Sequence, residues 1–289
     1  MELVKIGGVP EHFNLAWYLT LKAGAYKDKG IHLRWKDYYG GTGEMAEALR
    51  NNEIDLAVIL TEGIIKDIID GNRSKIVQVF VESPLLWGIH VAAASPYKTV
   101  EDLKGTKAAI SRYGSGSHLM AYINALQNGW DLDKDLHFEV IQHLEGAVDG
   151  LQNGVADYFM WEYFTTKPLV DQGVFRHVGN CPTPWPCFVI AATDRFIEEQ
   201  SDKLKIILNI INTATTTFKT LPNISKTIAE RYQQKEEDVQ KWLSITEWSQ
   251  SNISPETVES IQNTMFSIGV IAEKVSYSRL VWNVNSHVK

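Results

Sequence analysis

Cysteine is scarce in this sequence of 289 residues, which contains only Cys181 and Cys187. A framework of several disulfides is therefore excluded, and the fold must rest on a hydrophobic core. With 44% hydrophobic residues, a chain of this length can bury such a core in one large domain or two medium ones. Whether the two thiols form one bridge with each other stays open at the level of sequence.

Blocks of one charge and long apolar runs are also missing. The formal net charge is −7, and no cluster of Lys and Arg alternates with aromatic residues, so a nucleic-acid partner is not expected. No apolar run approaches the roughly 20 residues that cross a bilayer, so the sequence does not predict a membrane-embedded protein.

The N-terminal sequence has no features of a signal peptide. Met1 leads within two residues into the predicted strand Leu3–Gly8, without the apolar stretch and small-residue cleavage site of a secreted precursor. This predicts a cytoplasmic location. The alternative is a mature periplasmic or lipid-anchored domain that begins at a new methionine.

Motifs of catalysis and cofactor binding are absent as well. There is no Gly-x-Ser-x-Gly, and the loop Gly114–Ser117 has neither the third glycine of a dinucleotide fingerprint nor the Lys-Ser/Thr pair of a P-loop. His177, Cys181 and Cys187 could supply part of a metal site, but no fourth ligand is evident. The sequence therefore predicts no catalytic residue, no metal and no cofactor.

The features that are present predict an α/β protein. Short apolar runs alternate with segments of helical period, which is typical of largely parallel sheets with flanking helices. The first series has predicted strands near Leu3–Gly8, Ile31–Asp37, Leu56–Leu60 and Ile76–Val81, with helices near Asn14–Ala23, Gly43–Asn51 and Ile64–Asp70. The second series has strands near Lys107–Ile110, His137–Val140, Tyr158–Met160 and Val174–Val178, with helices near Ser117–Asn128, Gly146–Gln152 and Thr165–Gln172. Two series predict two sheets.

An internal similarity also favours two related lobes. The segment Ala48–Leu56 resembles Gly150–Tyr158, because each leaves a helix, turns on Asn or Gly and enters an apolar strand behind an Asp. Helix-turn-strand joints in any α/β protein look alike, so this observation alone leaves the question open.

The last third of the chain predicts the domain organisation. From Asp194 onward the pattern is nearly all helical, which is expected to pack back on the first lobe. The chain would then cross between the lobes twice, near Ile89–Ala94 and Phe188–Ala192, and these two extended segments are expected to form a two-strand hinge. The predicted lobes are residues 1–91 with 192–289, and residues 92–191.

Several short motifs occur in an order that resembles the type II periplasmic binding proteins. The resemblance is to the branch of sulfonate, nitrate, taurine and thiamine-precursor receptors. It rests on Gly7–Pro10, Ala23–Tyr26, Lys29–Ile31, Gly40–Glu44, Asn52–Ala57, Thr99–Gly105, Gly114–His118 and Gly154–Tyr158. It implies a two-lobed fold of two mixed sheets that closes on one small organic molecule. A transporter permease would be a partner only if the protein is exported.

The same branch includes the fungal thiamine-pyrimidine synthases, which are enzymes on this fold. They carry a Lys and a His at the third strand, whereas the corresponding segment Leu56–Gly63 has neither. Their cysteine-rich stretch is reduced here to Cys181–Cys187. Synthase activity is therefore not carried over, and a solute-binding protein is expected. The alternative is an intracellular enzyme of thiamine or quinone biosynthesis on the same scaffold.

Ligands of open α/β sheets bind beyond the carboxyl ends of the strands. The loops at these ends, with tryptophans near the crossings, give the candidate ligand-binding residues. They are Pro10, Glu11, His12, Phe13, Asn14, Gly41, Thr42, Thr61, Glu62, Trp87, Arg112, Gly114, Ser115, Gly116, Ser117, His118, Trp161, Glu162 and Trp185.

Two ligand types fit these residues. A heterocycle or amine would stack on Trp161 or Trp185 and donate N–H groups to Glu62 or Glu162. A sulfonate- or nitrate-type anion would instead use Arg112 and the glycine-rich loops at helix N-termini. The structural alternatives are helix caps at Thr42 and at Ser115 or Ser117, core packing of Trp161, solvated glutamates and a surface ion pair of Arg112.

Overall fold

A computed structural model describes residues 3–283 of the chain. Within this range the chain forms two compact units, residues 3–83 with 185–283 and residues 84–184. The sequence placed these boundaries at 91/92 and 191/192. The boundaries between the two units are seven or eight residues before the predicted positions. The reason is that β5 (Leu86–Ala92) pairs along its length with strands of the second unit, whereas β10 (Phe188–Thr193) pairs with strands of the first.

The first unit contains a five-stranded mixed sheet with the order β2-β1-β3-β10-β4. Its other strands are β1 (Leu3–Gly8), β2 (His32–Asp37), β3 (Leu56–Leu60) and β4 (Ser74–Val81). Strands β1, β2 and β3 are parallel, whereas β10 runs antiparallel to both β3 and β4. The central strand β3 reads Leu-Ala-Val-Ile-Leu and is buried along almost its whole length, as expected for a strand that is covered on both faces.

Helices of the first unit come from both ends of the chain. They are α1 (Leu15–Lys22), α2 (Gly41–Arg50), α3 (Thr61–Ile69), α7 (Asp194–Thr217), α8 (Ile224–Tyr232), α9 (Glu236–Ile245), α10 (Pro255–Ser267) and α11 (Tyr277–Leu280). Helices α2 and α3 pack together against the sheet, and α7 packs against α1 and β10. The helical last third of the chain thus belongs to the first unit, as the sequence predicted.

The second unit repeats the arrangement. Its sheet has the order β7-β6-β8-β5-β9. The strands are β6 (Lys107–Ile110), β7 (His137–Val140), β8 (Tyr158–Glu162) and β9 (Phe175–Pro182), and the helices are α4 (Gly116–Gln127), α5 (Leu144–Gln152) and α6 (Tyr163–Asp171). Strands β6, β7 and β8 are parallel, and β5 is antiparallel to β8 and β9. Two mixed sheets with flanking helices are therefore confirmed.

The internal similarity seen in the sequence corresponds to one repeated joint. In the first unit the Asp55 carboxylate accepts the Lys5 N–H at 2.9 Å, and the Asp55 N–H donates to the Lys5 carbonyl at 2.9 Å. In the second unit Asp157 and Lys107 exchange the same two bonds at 2.8 and 2.9 Å. Each Asp thus ties the start of the third parallel strand to the first parallel strand of its sheet.

The predicted two-strand hinge is not formed by the expected segments. Strands β5 and β10 each lie inside the sheet of one unit and do not pair with each other. The chain passes between the units at Ser83–Pro84 and Pro184–Trp185 instead. Cys181 and Cys187 are both buried free thiols, so no bridge joins them.

Candidate functional site

The carboxyl ends of the first three strands of the first unit form one edge of its sheet. Strand β1 ends at Gly8 and β2 ends at Asp37. The Trp35 side chain contacts both of these residues. A side chain at Gly8 would meet the Trp35 ring at 2.4 Å, so glycine is needed for the ring to lie there. The Trp35 Nε1–H donates to Asp37 at 2.8 Å and fixes that carboxylate at the end of its strand.

Two buried acceptors lie at this edge without a complete set of donors. Asn14 follows β1 and is fully buried; its Nδ2 donates to the Val9 carbonyl at 2.9 Å, but its Oδ1 has no partner. Glu62 lies in the first turn of α3, where Oε2 accepts the Trp185 Nε1–H at 2.9 Å and Oε1 has no partner. Burial raises the pKa of the Glu62 carboxyl to about 7.

Packing connects the loop after β1 with the end of β3. The ring of Phe13 lies 5.1 Å from that of Phe188, and Phe188 pairs with Leu60, the last residue of β3. Thr61, the next residue, donates its N–H to the Cys187 carbonyl at 3.1 Å and its hydroxyl to the Pro186 carbonyl at 2.5 Å. The segment Trp185–Cys187 is therefore fastened to the start of α3 by three hydrogen bonds, including the one to Glu62.

His12 does not face an open loop surface. Its buried ring lies 4.2 Å from that of Trp242, 4.9 Å from Phe13 and 6.0 Å from Tyr232. Burial lowers the pKa of His12 to about 3, so the imidazole is neutral at physiological pH. His12 is thus part of the aromatic packing between this loop and the C-terminal helices. Pro10 and Glu11 are half-buried beside it.

The loop before α2 uses its small residues for packing. The helix begins at Gly41, whose φ of +66° lies in the left-handed region, and the Gly40 N–H is capped by the Glu44 carboxylate at 2.9 Å. Thr42 makes no cap; its methyl group fills the space beside Gly63, where a Cβ would lie 2.3 Å from it. The cap interpretation of Thr42 is wrong, since this residue packs α2 against α3.

In the second unit, the loop Gly114–His118 forms a network of its own. Ser115 is the N-cap of α4 and accepts the His118 N–H at 3.3 Å. The Ser117 hydroxyl accepts the Ser111 N–H at 3.0 Å and lies 3.0 Å from the Ser115 hydroxyl. His118 Nδ1 accepts the Gly114 N–H at 3.1 Å. Capping by Ser115 is confirmed.

Trp161 and Glu162 at the end of β8 also have structural partners. Trp161 stacks on Phe159 at 5.4 Å and meets the edge of buried Trp87 at 6.4 Å. Glu162 caps α6 by accepting the Thr165 N–H at 2.6 Å and hydroxyl at 2.7 Å, while burial raises the pKa of its carboxyl to about 7. A ligand role for these residues, for buried Trp185 and for exposed Arg112 stays a prediction.

Three residues of the first edge were missed by the sequence reasoning. The Tyr18 hydroxyl donates to Asp37, and the Arg231 guanidinium lies 4.2 Å from the centre of the Tyr18 ring. Asp37 ends a strand that the sequence predicts correctly, so its position was a usable signal. Arg231 lies in the helical last third of the chain, and no local pattern connects it with this edge.

Neither metal ligands nor a membrane span were found in the part of the chain that the structure describes. No group of three or more His, Cys, Asp or Glu side chains within residues 3–283 could hold a metal ion. Over the same residues, no helix has the length and apolar character needed to cross a bilayer.

Comparison with known proteins identifies the fold family. Residues 87–181, most of the second unit, match a family model described as Ca3427-like PBP. The solved structure of the Candida albicans CA3427 gene product matches 95% of this chain and 92% of its own, with 26% identity and a TM-score of 0.87. That protein is described as having the generic periplasmic binding protein fold. The chain therefore has the periplasmic binding protein fold.

Sulfonate-binding proteins share this fold. The alkanesulfonate-binding protein SsuA from Xanthomonas axonopodis pv. citri, bound to MOPS, has a TM-score of 0.83 and 17% identity over 97% of this chain and 98% of its own. SsuA from Escherichia coli has a TM-score of 0.74 and 21% identity over 98% and 92%. No curated protein matches the sequence. At these identities the SsuA structures bear on the fold alone.

Proposed function

We propose that the protein is a solute-binding protein for a small organic molecule with N–H donors, such as an amine or an amino-substituted heterocycle. The fold is shared with proteins whose names describe them as binding small solutes. The type of ligand is argued from the side chains of the first unit, because its strand-end edge holds two buried oxygens that accept no hydrogen bond.

The observation that carries this proposal is the pair of buried oxygens, Glu62 Oε1 and Asn14 Oδ1, that accept no hydrogen bond. An unpaired buried acceptor costs about 1–3 kcal/mol, and more when it is charged. A ligand that donates N–H groups to these oxygens would remove this cost. The raised pKa of Glu62 adds to the argument, because a cationic or N–H-bearing ligand would stabilise its ionised form.

A sulfonate-type anion is the second candidate. The names of the SsuA proteins favour it, as does the cluster of Ser111, Ser115 and Ser117 hydroxyls at the start of α4. Those hydroxyls already bond to one another and to backbone N–H groups, however. An anion would also be repelled by ionised Glu62 if bound at the first edge.

Calorimetric titrations with two probes separate these candidates. We expect 4-amino-5-hydroxymethyl-2-methylpyrimidine, an amino-substituted heterocycle, to bind, and Glu62→Gln to weaken its binding by roughly tenfold or more. Affinity should also fall as the pH is lowered through about 7, because Glu62 then becomes protonated and loses its charge. Glu259→Gln removes an exposed glutamate from α10 and is the matched control.

Two results would contradict the N–H donor proposal. One is binding of MOPS or taurine that Glu62→Gln strengthens, which indicates an anion near this carboxylate. The other is pyrimidine binding that is equal in Glu62→Gln and wild type. Native mass spectrometry of freshly purified protein separates a binding protein from an enzyme: an unmodified metabolite at one per chain supports binding, whereas a covalent adduct or turnover supports an enzyme of thiamine or quinone biosynthesis.

A further inference from the structure

A depression of about 340 Å³ lies on the sheet of the first unit, away from the side chains discussed above. Three cationic side chains surround it: Lys5 from β1, and Arg34 and Lys36 from β2. The apolar part of the depression is formed by the buried side chains Tyr38 and Ile54. Glu53 also lines the depression and is its one acidic residue among the described lining residues.

The floor exists because of a glycine in β1. A Cβ at Gly7 would lie 2.6 Å from Cε2 of Tyr38 and 3.0 Å from Cδ1 of Ile54, so any other residue would displace both side chains. With glycine there, the Tyr38 ring lies over the strand, and the Lys36 ammonium is 4.3 Å from the ring centre. The local sequence therefore builds a concave surface with an aromatic base and a cationic wall.

The three cations lie on one face of the sheet, and among the described residues none of them has a carboxylate within ion-pair distance. Lys5 pairs in register with Arg34, and Lys36 follows two residues later on the same face of β2. Like charges directly opposite each other destabilise a sheet. The Asp55 carboxylate is taken by the Lys5 backbone N–H and by Arg195, both at 2.9 Å. The Tyr38 hydroxyl and the more distant charges of Glu44 and Glu53 raise the pKa of Lys36. Between residues 3 and 283, none of these cations forms an ion pair.

Protection of a sheet edge does not account for this cluster. Strand β2 is the edge of its sheet, and cationic side chains on edge strands oppose aggregation. This explains Arg34 and Lys36. Lys5 lies on β1, which has β2 on one side and β3 on the other, so it protects no edge. An anion that binds all three side chains would explain why Lys5 lies opposite Arg34.

We propose that this depression binds a small metabolite that carries a phosphate or pyrophosphate group. The guanidinium of Arg34 and the ammonium groups of Lys5 and Lys36 would contact the phosphate oxygens, as such groups do in other phosphate sites. Glu53 would accept a hydroxyl or amino group of the organic part of the same ligand. The site shares no residue with the solute-binding edge and is independent of that function.

Titration of the full chain with inorganic pyrophosphate tests this site. We expect saturable binding that weakens with added salt, and a loss of roughly tenfold or more in affinity in Arg34→Gln/Lys36→Gln. Lys5→Gln should weaken binding by roughly threefold to tenfold while leaving the charges of the edge strand in place, so it tests the site even if the double variant aggregates. Lys27→Gln/Lys29→Gln makes the same change in net charge outside the depression and should bind like wild type.

Two outcomes would overturn the proposal. The first is no detectable binding of pyrophosphate to wild type at 50 mM salt up to roughly 10 mM, a level at which three clustered cations should be occupied. The second is an equal loss in the Lys27/Lys29 control, which would mean that only net charge matters. Binding that is lost in Lys5→Gln and kept in the control supports the site.

Discussion

Glu62 and Glu162 are both fully buried carboxyl groups near the end of the third parallel strand of their unit, but their surroundings differ. Glu162 is the N-cap of α6 and accepts two hydrogen bonds from Thr165. Glu62 lies two residues further along, inside the first turn of α3, and leaves one oxygen without a donor. The capping role explains why Glu162 is buried. Nothing in the local fold explains the unpaired oxygen of Glu62.

The raised pKa of the buried Glu62 carboxyl predicts how stability depends on pH. Burial raises the pKa of Glu62 from 4.5 to about 7, so the folded state binds its proton more tightly than the unfolded state. The stability of the wild type should therefore decrease as the pH rises from about 4.5 to about 7. At pH 8, Glu62→Gln should raise the free energy of unfolding by up to about 3 kcal/mol, and this gain should shrink towards pH 4.5. Urea denaturation at several pH values measures it.

The same Glu259→Gln control applies here, since it removes an exposed carboxylate from α10. Its unfolding free energy should follow that of the wild type at every pH. A Glu62→Gln variant that is less stable than wild type at pH 8 would show that the ionised carboxylate is stabilised by the fold, and the pH argument would then be wrong.

For individual residues, the sequence predicted the position in the fold better than the contacts that each side chain makes. It placed Glu62 and Asn14 at strand ends because loops at carboxyl ends are recognisable by their order in the chain. It could not show that Trp87 and Trp185 are buried, or that His12 lies against Trp242, because these contacts depend on tertiary packing. Asp37 also ends a strand, so the same strand-end rule could have predicted it. Arg231, in contrast, is brought to the edge by a helix about 200 residues away in sequence.

Individual elements agree with the sequence patterns most closely where apolar runs are bounded by turn residues. Strands β1, β3, β6 and β7 have the predicted bounds. Helix α3 begins at Thr61, three residues before the predicted start at Ile64, because its first turn contains Thr, Glu and Gly rather than periodic apolar residues. Polar first turns are hard to separate from loops by periodicity alone.

Helix α5 offers a matched test of how tightly an element is packed. A Cβ on Gly146 would lie 2.0 Å from the backbone carbonyl oxygen of Ile141, whereas one on Gly150 would lie 3.2 Å from the Ile141 side chain. We expect Gly146→Ala to destabilise the protein by about 2–4 kcal/mol, since the obstacle is backbone. Gly150→Ala should change stability by less than about 1 kcal/mol, because better helix propensity offsets the tighter contact.

Thermal and urea denaturation of the two variants measure this difference directly. Equal stability of Gly146→Ala and Gly150→Ala would contradict the close approach between the first turn of α5 and the loop after β7. Circular dichroism at low temperature should show that both variants retain wild-type helix content, so that the comparison concerns packing rather than misfolding.

For the whole molecule, the sequence predicted two sheets and the return of the C-terminal helices, but not the points of crossing. Strands β5 and β10 are apolar and extended, and such strands fit equally well at the centre of a sheet or between two lobes. Their pairing partners show that both strands lie inside a sheet: β5 lies between β8 and β9, and β10 lies between β3 and β4. Long-range pairing of this kind leaves no local trace in a single sequence.

Among residues 3–283 no strand is shared between the two sheets, which predicts that each unit folds without the other. In the first unit the Ser83 carbonyl accepts the Cys187 N–H at 3.4 Å, so the two ends left by removing residues 84–184 are close enough for a short Gly-Ser linker. We expect this shortened chain, and residues 84–184 alone, to unfold cooperatively in thermal denaturation followed by circular dichroism. Absence of a cooperative transition in either piece would contradict independent folding.

The position of β10 in the first sheet also has a consequence for synthesis on the ribosome. Its antiparallel insertion separates β4 from β3, so more than 100 residues must be translated after β4 before its neighbour in the sheet is available. All strands of the second unit, by contrast, have emerged once Pro182 has left the exit tunnel. The nascent chain should therefore complete the second unit, residues 84–184, before the first, and β4 should remain an exposed apolar strand until then. The interval before β10 emerges is expected to be the period of greatest need for chaperones.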